Sequence, residues 1–445
     1  MIERVPQKRS DLRRGHCPGV LRPIETGDGL LVRIRCRAGR LTKREAHLVA
    51  EAARSHGNGL LDLSARGNLQ MRGVSDATLP KLTKHLIENG LADSDAETEH
   101  VGAIELDPLA TVHCLALYDE IKRALKSGAG LADLPPKFRV MIDTGGPLSM
   151  EDIAADVTFR RTKSEQFRVG LGGDAQSESI LGYCRQEDIP DLAREISSAF
   201  LETCRQCAFN ARTMRQLLTH HPDTSRFTSL LSDDIAASVS SASSVDPLKL
   251  RQNGHQVGLA TTDEPWIGFY LPFGRIGAET LSALADMTSL DVRLTPWRTV
   301  LIPVELASVD ALNAKAVSFA ADHGLELDSD ALITSVSACP GSAGCLSGHV
   351  EAQRLARRLV DERPDLVRAA REVHVSGCLK GCAHPSRAAL TLVGRADGLA
   401  LVIDGEADAS PVATGLSLEN ALDTLVKIKN EGRSLKSANL MRANG

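Results

Sequence analysis

The chain has 445 residues, which corresponds to about three domains at roughly 150 residues each. Hydrophobic residues make up 42% and charged residues 24%, values of a globular protein, so a disordered or fibrous chain is excluded. The net charge is −5 and aromatic residues make up 3%, which excludes a nucleic-acid-binding protein that relies on an overall basic surface or on aromatic stacking. An anionic ligand must therefore meet a local group of cations.

The sequence predicts a cytoplasmic protein with no membrane or nucleic-acid partner. No run approaches the ~20 apolar residues of a membrane span. Residues 1–14 are polar and basic with no apolar segment behind them, which does not fit a secretory signal. Ten cysteines in the cytoplasm are not expected to form disulfides, so their spacing is interpreted in terms of metal binding.

A strand, a helix and a second strand are predicted near the N-terminus. Residues 30–36 alternate apolar and basic side chains, residues 41–56 carry apolar residues at helical spacing, and the second strand begins at 60–63. A weaker copy of this unit, about two hundred residues later, has a strand at 266–272, a helix at 277–287 and a strand at 291–304. The repetition predicts two related halves.

The composition and pattern of the remaining residues predict a linker and a C-terminal α+β region. Residues 238–244 contain five serines and precede an Asp-Pro pair, a composition typical of a linker. After residue 304 helices alternate with strands, including a hairpin of 389–393 and 399–403 across a turn containing Asp397 and Gly398.

Four cysteines form two pairs in the C-terminal region. Cys339 and Cys345 are spaced C-x5-C, and Cys378 and Cys382 are spaced C-x3-C. Each pair follows a predicted strand, and the Gly-rich loops allow the backbone to wrap closely around a bulky inorganic group. Four thiolates match a 4Fe-4S cluster. Structural zinc, which favours shorter spacings, and four buried thiols without metal are the alternatives.

These pairs resemble those of the sirohaem-dependent sulfite and nitrite reductase superfamily, in which such cysteines hold a 4Fe-4S cluster. Further segments resemble the precorrin-3B synthase family within it: 17–19 (CPG), 26–33 (TGDGLLVR), 66–73 (RGNLQMRG) and 374–385 (HVSGCLKGCAHP). The resemblance covers nearly the whole chain. It implies a monooxygenase of aerobic cobalamin biosynthesis that converts precorrin-3A to precorrin-3B with O2 and NADH or NADPH, by hydroxylating a meso carbon and forming a lactone.

The resemblance also implies an α+β fold of duplicated sulfite/nitrite-reductase-like halves with pseudo-twofold symmetry and an iron-sulfur cluster in the C-terminal half. The expected divisions are a first ferredoxin-like half-repeat (1–75), a first sulfite/nitrite-reductase-like α/β domain (76–235), a linker (236–250), a second half-repeat (251–305) and a 4Fe-4S-binding domain (306–445).

A tetrapyrrole with many acetate and propionate groups needs a basic pocket. The resemblance places Arg66 and Arg72 at the tetrapyrrole, together with Lys137 and Arg139 of the segment 134–139 (LPPKFR). A single Arg is usually a solvated surface charge, so these four residues are predicted to bind substrate only through the match to the motifs.

The resemblance further implies a mononuclear non-haem iron, for which His384 is a candidate ligand. Residues 170–173 (GLGG) lack the spacing of a nicotinamide-binding domain, so electrons are expected from a separate donor. The alternative function is a sirohaem-dependent sulfite or nitrite reductase in which Cys382 also binds the haem iron, although residues 101–114 lack the Arg-Asn element expected there. An electron-transfer or cluster-carrier protein is a third hypothesis.

The other cysteines give weaker signals. Cys204 and Cys207 are spaced C-x2-C in a predicted helix without a second pair, and a structural role is expected for them. Cys17 and Cys36 have no assigned function, and burial is expected for both.

Overall fold

The computed structural model describes residues 17–240, 248, 252–253, 257–262, 264–305 and 309–430. The basic segment 1–14 and most of the predicted linker 236–250 lie outside the described residues, and the first residues of that linker belong to a short helix that ends at Ser238. Among the described residues, no helix combines the length and the apolar character needed to cross a membrane.

The strands in the described part of the chain are β1 (Ile24–Thr26), β2 (Gly29–Ile34), β3 (Arg40–Thr42), β4 (Leu60–Leu63), β5 (Leu69–Val74), β6 (Ile104–Leu106), β7 (Val140–Asp143), β8 (Leu148–Ser149), β9 (Ala155–Arg161), β10 (Phe167–Gly173), β11 (Ser179–Cys184), β12 (Gln252–Asn253), β13 (Gly258–Ala260), β14 (Trp266–Tyr270), β15 (Arg275–Gly277), β16 (Asp291–Leu294), β17 (Thr299–Pro303), β18 (Val336–Ala338), β19 (Val373–Ser376), β20 (Ala388–Arg395), β21 (Gly398–Gly405) and β22 (Ala413–Leu416). The α-helices described are α1 (Lys43–His56), α2 (Leu79–Glu88), α3 (Val112–Ser127), α4 (Ile189–Gln206), α5 (Met214–His220), α6 (Ser225–Thr228), α7 (Asp233–Ser238), α8 (Ala278–Asp286), α9 (Val309–His323), α10 (Ala352–Glu362), α11 (Pro364–Ala370) and α12 (Leu418–Asn430).

Two central antiparallel sheets exchange their edge strands. One has the order β1-β2-β5-β4-β15 and the other β13-β14-β17-β16-β3, so each sheet is completed by a strand from the other half of the chain. Arg275 of β15 pairs with Asp62 of β4, and Arg40 of β3 pairs with Arg293 of β16. When the strands of each half are numbered from one to five, both sheets have the order 1-2-5-4, followed by the third strand of the other half.

A strained turn directs each exchanged strand away from its own sheet. The 3-10 turns Arg37–Gly39 and Pro272–Gly274 precede β3 and β15, and both contain a non-glycine residue with positive φ: Ala38 at 52° and Phe273 at 59°. Few non-glycine residues adopt this conformation, and the surrounding contacts must hold it in place. The sequence analysis predicted the repeat but not the exchange.

The two halves share one hydrophobic core, because α1 and α8 pack in it together with the inner faces of both central sheets. The capping box of Thr42 and Glu45 begins α1. The core continues through Leu82 and Leu86 of α2, and through Ala316 and Ala320 of α9. The boundaries predicted at residues 75/76 and 305/306 therefore fall inside a single packed unit, since these helices cover the sheets of the half-repeats.

Two further sheets flank the central pair. Their orders are β11-β10-β9-β7-β6 and β18-β19-β20-β21-β22, and each has three parallel strands followed by two antiparallel ones. The hairpin predicted around Asp397 and Gly398 is confirmed as β20 and β21. The α+β class expected from the sequence is therefore observed.

The two flanking sheets differ at the ends of their equivalent parallel strands. Asp107 follows β6, as Cys339 follows β18. The Asp107 carboxylate accepts hydrogen bonds from the backbone N–H of Thr144, at 2.9 Å, and from its hydroxyl, just beyond β7. In the first sheet, these hydrogen bonds connect the ends of neighbouring strands.

Gly274 is expected to be required for the strand exchange. Its φ is +74°, and an added Cβ would lie 2.7 Å from the Leu63 carbonyl oxygen. We expect Gly274→Ala to lower the free energy of unfolding by about 2–4 kcal/mol, because backbone strain and a steric clash add. Gly59→Ala is the control, since Gly59 has φ +79° with no atom within 4 Å of the added Cβ, and it should cost about 1 kcal/mol. Urea unfolding followed by circular dichroism measures both, and equal losses would contradict the predicted clash.

Candidate functional site

The two cysteine pairs meet at one edge of the C-terminal sheet. Cys339 follows β18 directly, and Cys378 lies two residues beyond the end of β19. These strands are parallel neighbours, with Ala338 opposite Val375, so their carboxyl ends lie side by side. Cys345 and Cys382 lie in the loops that continue from these ends. The structure therefore brings the predicted cluster residues into one region.

The protein environment of the thiols disfavours four free thiolates. Cys378 is buried, Cys339 and Cys345 are partly buried, and Cys382 is exposed. Desolvation raises the pKa of the Cys339 and Cys378 thiols, and that of Cys382 to about 11, and neighbouring cysteines add to each shift. The sulfurs thus lie near enough to interact electrostatically. A positively charged centre between them would offset the cost of ionisation.

The backbone around the thiols supplies N–H donors and close packing. The Gly377 N–H donates to Cys339 Sγ at 3.1 Å. Gly341 has φ +65°, and a Cβ on Gly377 would lie 2.7 Å from the Gly341 Cα. Larger residues at these positions would force the two loops apart. The glycines are therefore required where the loops meet.

The four thiols are the candidate ligands of a metal centre. In the part of the chain that the structure describes, no three His, Cys, Asp or Glu side chains lie close enough to bind one metal ion. A four-iron cluster is larger than a zinc ion and accepts more widely spaced thiolates. Four thiols in neighbouring glycine-rich loops, with the Gly377 N–H as a donor to Cys339, are compatible in number and type with a 4Fe-4S cluster.

A cleft with a cavity volume of about 30 Å³ lies beside the first central sheet. The charged residues that line it are Arg33, Arg35, Arg66, Arg139 and Glu105. Two further carboxylates lie close by, Glu99 at 4.0 Å from Arg35 and Asp156 near Arg66. A second cavity of about 280 Å³ shares Arg33 and Arg35 with it. The cleft is formed by β2, the loop after β4, β6, α3 and the segment before β7, so it lies between the central sheet and the first flanking sheet.

Burial disfavours the charged forms of three of the arginines that line the cleft and so lowers their pKa values. It lowers the pKa of Arg66, and the nearby charge of Arg139 lowers it further, while Glu105 opposes the shift. Burial also lowers the pKa of Arg33 to about 10 and that of Arg35. Glu99 opposes the shift of Arg35, and Asp156 joins Glu105 in opposing that of Arg66, but burial outweighs them. An anionic ligand would restore the interactions that burial removes.

Lys137 and Arg139 are held in different ways. Arg139 donates to Glu105 Oε1 at 2.7 Å, and its backbone N–H donates to Asp156 at 2.9 Å, which fixes its position. Lys137 is exposed over much of its surface. Partial burial is the main cause of its lowered pKa, and the charges of Arg66 and Lys380 lower the pKa further. Lys380, which lies between Cys378 and Cys382, is therefore near enough to Lys137 to interact with it electrostatically.

Arg72 lies apart from the other predicted substrate-binding residues. It is 2% exposed, donates to Asp28 at 2.7 and 2.8 Å and to Asp62 at 3.1 Å, and also donates to the Gly344 carbonyl. These acceptors engage its guanidinium fully. The geometry therefore gives Arg72 a supporting position beneath Cys345, where the sequence could not reveal its partners.

His384 lies beside the cysteine loops without a set of iron ligands around it. Its Nε2 is 3.5 Å from Glu372 and 3.3 Å from the Arg387 carbonyl, and its ring centroid is 5.7 Å from that of His374. The non-haem iron at His384 stays a prediction.

Sequence reasoning left Arg33 and Arg35 out of the predicted site, although the alternation of residues 30–36 places both on one face of a strand. Alternation alone does not show whether this face is exposed to solvent or lines a cleft. It lines a cleft here because the first flanking sheet lies opposite it. Cys17 was expected to be buried. It is partly exposed and lies close to Arg33.

Comparisons with known proteins agree with this architecture. Residues 22–89 match the family described as the nitrite/sulfite reductase ferredoxin-like half domain. The chain is 31% identical over 418 residues to a precorrin-3B synthase from Sinorhizobium sp, covering 91% of this chain and 86% of the relative. It is 24% identical to a ferredoxin–nitrite reductase from Leptolyngbya laminosa, covering 85% and 79% of the two chains.

The fold is similar to that of a solved structure, the NirA protein of Mycobacterium tuberculosis. The TM-score is 0.67 at 17% sequence identity, and the match covers 92% of this chain and 82% of the other. At this identity the likeness concerns the fold.

Arg72 is expected to stabilise the contact between β5 and the loop of Cys345. Arg72→Met leaves Asp28 without its cation, and we expect the free energy of unfolding to fall by about 3 kcal/mol, because breaking a buried ion pair exposes an uncompensated charge. Arg54→Met is the control, since its exposed pair with Glu279 should contribute less than about 1 kcal/mol. Denaturant titration measures both variants, and similar losses would contradict the assigned role of Arg72.

The ion pair of Arg72 and Asp28 makes the free energy of unfolding depend on pH. Burial raises the pKa of Asp28, but hydrogen bonding and the charge of Arg72 outweigh this effect and leave it below 3.8. Since the folded-state pKa is the lower one, the stabilisation is present above pH 3.8 and is lost as the pH falls through the lowered value. The stability difference between wild type and Arg72→Met should therefore narrow in acid.

Proposed function

The chain belongs to the precorrin-3B synthase family, and on that premise we propose that it is a monooxygenase of aerobic cobalamin biosynthesis. It converts precorrin-3A to precorrin-3B by hydroxylating a meso carbon and forming a lactone from a ring acetate. The reaction uses O2 and electrons from NADH or NADPH that arrive through a separate donor protein. We place the enzyme in the cytoplasm, with no nucleic-acid or membrane partner.

The observation that carries this proposal is the excess of positive charge in the cleft. Four arginines line it together with Glu105, while Glu99 lies 4.0 Å from Arg35 and Asp156 acts on Arg66, in a protein whose total charge is −5. Precorrins carry many acetate and propionate groups, and guanidinium groups bind carboxylates in a bidentate manner. A neutral substrate would leave the buried cations without compensation.

The cluster of this proposal is a 4Fe-4S centre held by Cys339, Cys345, Cys378 and Cys382. When bound, it supplies electrons one at a time, which suits the stepwise reduction of O2. Lys380 lies in the loop between the second pair and lowers the pKa of Lys137. This proximity supports a substrate site next to the cluster.

The protein's own residues bind and orient the substrate. Arg139 is held by Glu105 and Asp156, so it presents a fixed guanidinium to a carboxylate. Arg66 lies beside it without such a fixed partner among the hydrogen bonds of the structure, and its lowered pKa reflects burial next to a like charge. Lys137 provides an exposed cation at the side of Lys380. Contacts of the substrate carboxylates with Arg139, Arg66 and Lys137 would hold the macrocycle against the cysteine loops.

The equal strand orders support a gene duplication with a pseudo-twofold axis between the central sheets. In this proposal the cluster belongs to the C-terminal half and the basic cleft to the N-terminal half. A mononuclear non-haem iron near His384 completes the proposal, with Glu372 as a neighbouring carboxylate.

The alternative is a sirohaem-dependent sulfite or nitrite reductase, to which the chain is more distantly related. Sirohaem is also a polycarboxylate and would suit the same cations. The decisive experiment is anaerobic purification with assay of iron, acid-labile sulfide and acid-acetone-extractable tetrapyrrole, followed by incubation with precorrin-3A, O2 and a reductant. Iron and sulfide without sirohaem, and formation of precorrin-3B, support the proposal. Stoichiometric sirohaem would favour the alternative.

Arg66 is expected to bind substrate. Arg66→Ala should weaken binding of precorrin-3A by about 10- to 100-fold, since one charge-assisted contact contributes roughly 1.5–3 kcal/mol. Iron and sulfide contents should remain at wild-type levels. Arg185→Ala, which removes an exposed charge at the start of α4, is the control. Binding followed by absorption titration tests this role, and an affinity equal to that of the control would remove Arg66 from the site.

Cys378 is expected to be a cluster ligand. Cys378→Ser should lose iron and sulfide together and destabilise the C-terminal sheet, because the loops after β18 and β19 would lose their common ligand. Cys204→Ser is the matched control and should retain both. Colorimetric iron and sulfide assays measure the loss, and unchanged contents in Cys378→Ser would rule out the ligand assignment.

A further inference from the structure

The turn between β16 and β17 contains a strained arginine. Arg298 has φ 60°, a conformation that few non-glycine residues adopt and that persists only where the surrounding contacts hold it. Its carbonyl accepts a hydrogen bond from the Leu271 N–H at 2.8 Å. An added Cβ on Gly274 would lie 3.4 Å from Arg298 Cγ, so the stem of the arginine passes close to the turn that precedes β15. The strand exchange therefore helps to hold Arg298 in place.

The equivalent turn in the first half has a glycine at this position. In the turns 64–68 and 295–299, the N–H of the first residue donates to the carbonyl of the fifth, at 2.9 and 3.1 Å. The side-chain oxygen of the first residue accepts from the N–H of the fifth, at 3.3 and 3.2 Å. Gly67 and Arg298 are both the fourth residue, and Gly67 has φ 62°. Glycine adopts this conformation without strain, so the arginine must be retained for its side chain.

The Arg298 guanidinium connects the segments of both cysteine pairs. Its Nη1 donates to Ser337 Oγ at 3.0 Å, and its Nη2 donates to the Ala383 carbonyl at 2.7 Å. Ser337 lies in β18, two residues before Cys339, and Ala383 directly follows Cys382. One side chain thus links a segment that carries a cysteine of the first pair to a segment that carries a cysteine of the second.

Arg72 contacts the loop of Cys345 in a comparable way, through the Gly344 carbonyl. Arg72 lies in one central sheet and Arg298 in a turn of the other, so each central sheet contributes one arginine to the cysteine loops. The Ser337 hydroxyl and the Ala383 carbonyl are neutral acceptors. Arg298 therefore connects the loops without a carboxylate at the contact, and a carboxylate there would further disfavour ionisation of the thiols.

We propose that Arg298 is a positioning residue that holds Cys382 in place relative to Cys339, so that the two cysteine pairs bind one centre. It acts through the Ala383 backbone and the Ser337 side chain, and it is not itself a ligand. The proposal rests on the cluster of the proposed function, and it does not depend on the substrate or on O2.

Two glycine variants separate the guanidinium from the backbone. Arg298→Gly removes the side chain and suits the turn, since glycine accepts the positive φ without strain. Arg371→Gly is the matched control, because Arg371 also has a positive φ, 62°, and directly precedes the C-terminal strand β19 by two residues. Arg371 is exposed, and its side chain makes no hydrogen bond with the residues that the structure describes.

Hydrogen exchange, detected by mass spectrometry on the purified holoprotein, tests the position of the segment 378–384. We expect its exchange to be about 10-fold faster in Arg298→Gly and unchanged in Arg371→Gly. Arg298→Lys should give an intermediate rate, because an ammonium group lacks the fixed fork of a guanidinium. An unchanged rate in Arg298→Gly, equal increases in both glycine variants, or wild-type exchange in Arg298→Lys would overturn the proposal.

A spectroscopic measurement separates positioning from general stability. Electron paramagnetic resonance of the dithionite-reduced holoprotein reports the g values of the centre, and an iron chelator gives the rate of iron release. We expect shifted g values and about 10-fold faster release in Arg298→Gly, with wild-type values in Arg371→Gly. Identical spectra and release rates in all three proteins would contradict the proposal. Wild-type protein without iron would instead refute the proposed cofactor, and hydrogen exchange would still decide the role of Arg298.

Discussion

The exchange of β3 and β15 is the constraint on which the remaining structure depends. Each central sheet needs a strand of the other half to complete its edge, so neither half can bury its core alone. The exchange fixes the central sheets against each other. It also fixes the relative positions of the flanking sheets, one of which forms a wall of the basic cleft while the other carries the cysteine loops.

Electrostatics distinguishes two kinds of arginine in this protein. Arg72 is fully buried and is neutralised by Asp28 and Asp62, so it contributes to stability by linking β5 to the loop of Cys345. Arg66 is also desolvated, but its strongest charged neighbour is another arginine. The first kind supports the architecture. Arg66 and its neighbours are not fully neutralised, and this is the reason for proposing an anionic ligand.

The sequence predicted the features that depend on local pattern. Alternation at 30–36 and helical spacing at 41–56 correspond to β2 and α1, and the strand predicted at 373–375 corresponds to β19. The strand predicted at 332–336 before Cys339 is instead a 3-10 turn over Leu332–Ser335 followed by β18. Features that depend on distant partners could not be predicted. The exchanged strands have three residues each, too few for a period, and Arg72 meets acids 44 and 10 residues away.

The contrast between Asp107 and Cys339 has a consequence for the metal dependence of the two flanking domains. Asp107 connects its strand end to Thr144 by hydrogen bonds, which form whenever the chain folds. The equivalent position in the C-terminal sheet is a thiol that suits an inorganic centre. If the proposed cluster is bound there, loss of iron would act on the strand ends of the C-terminal sheet and leave the hydrogen bonds of Asp107 intact.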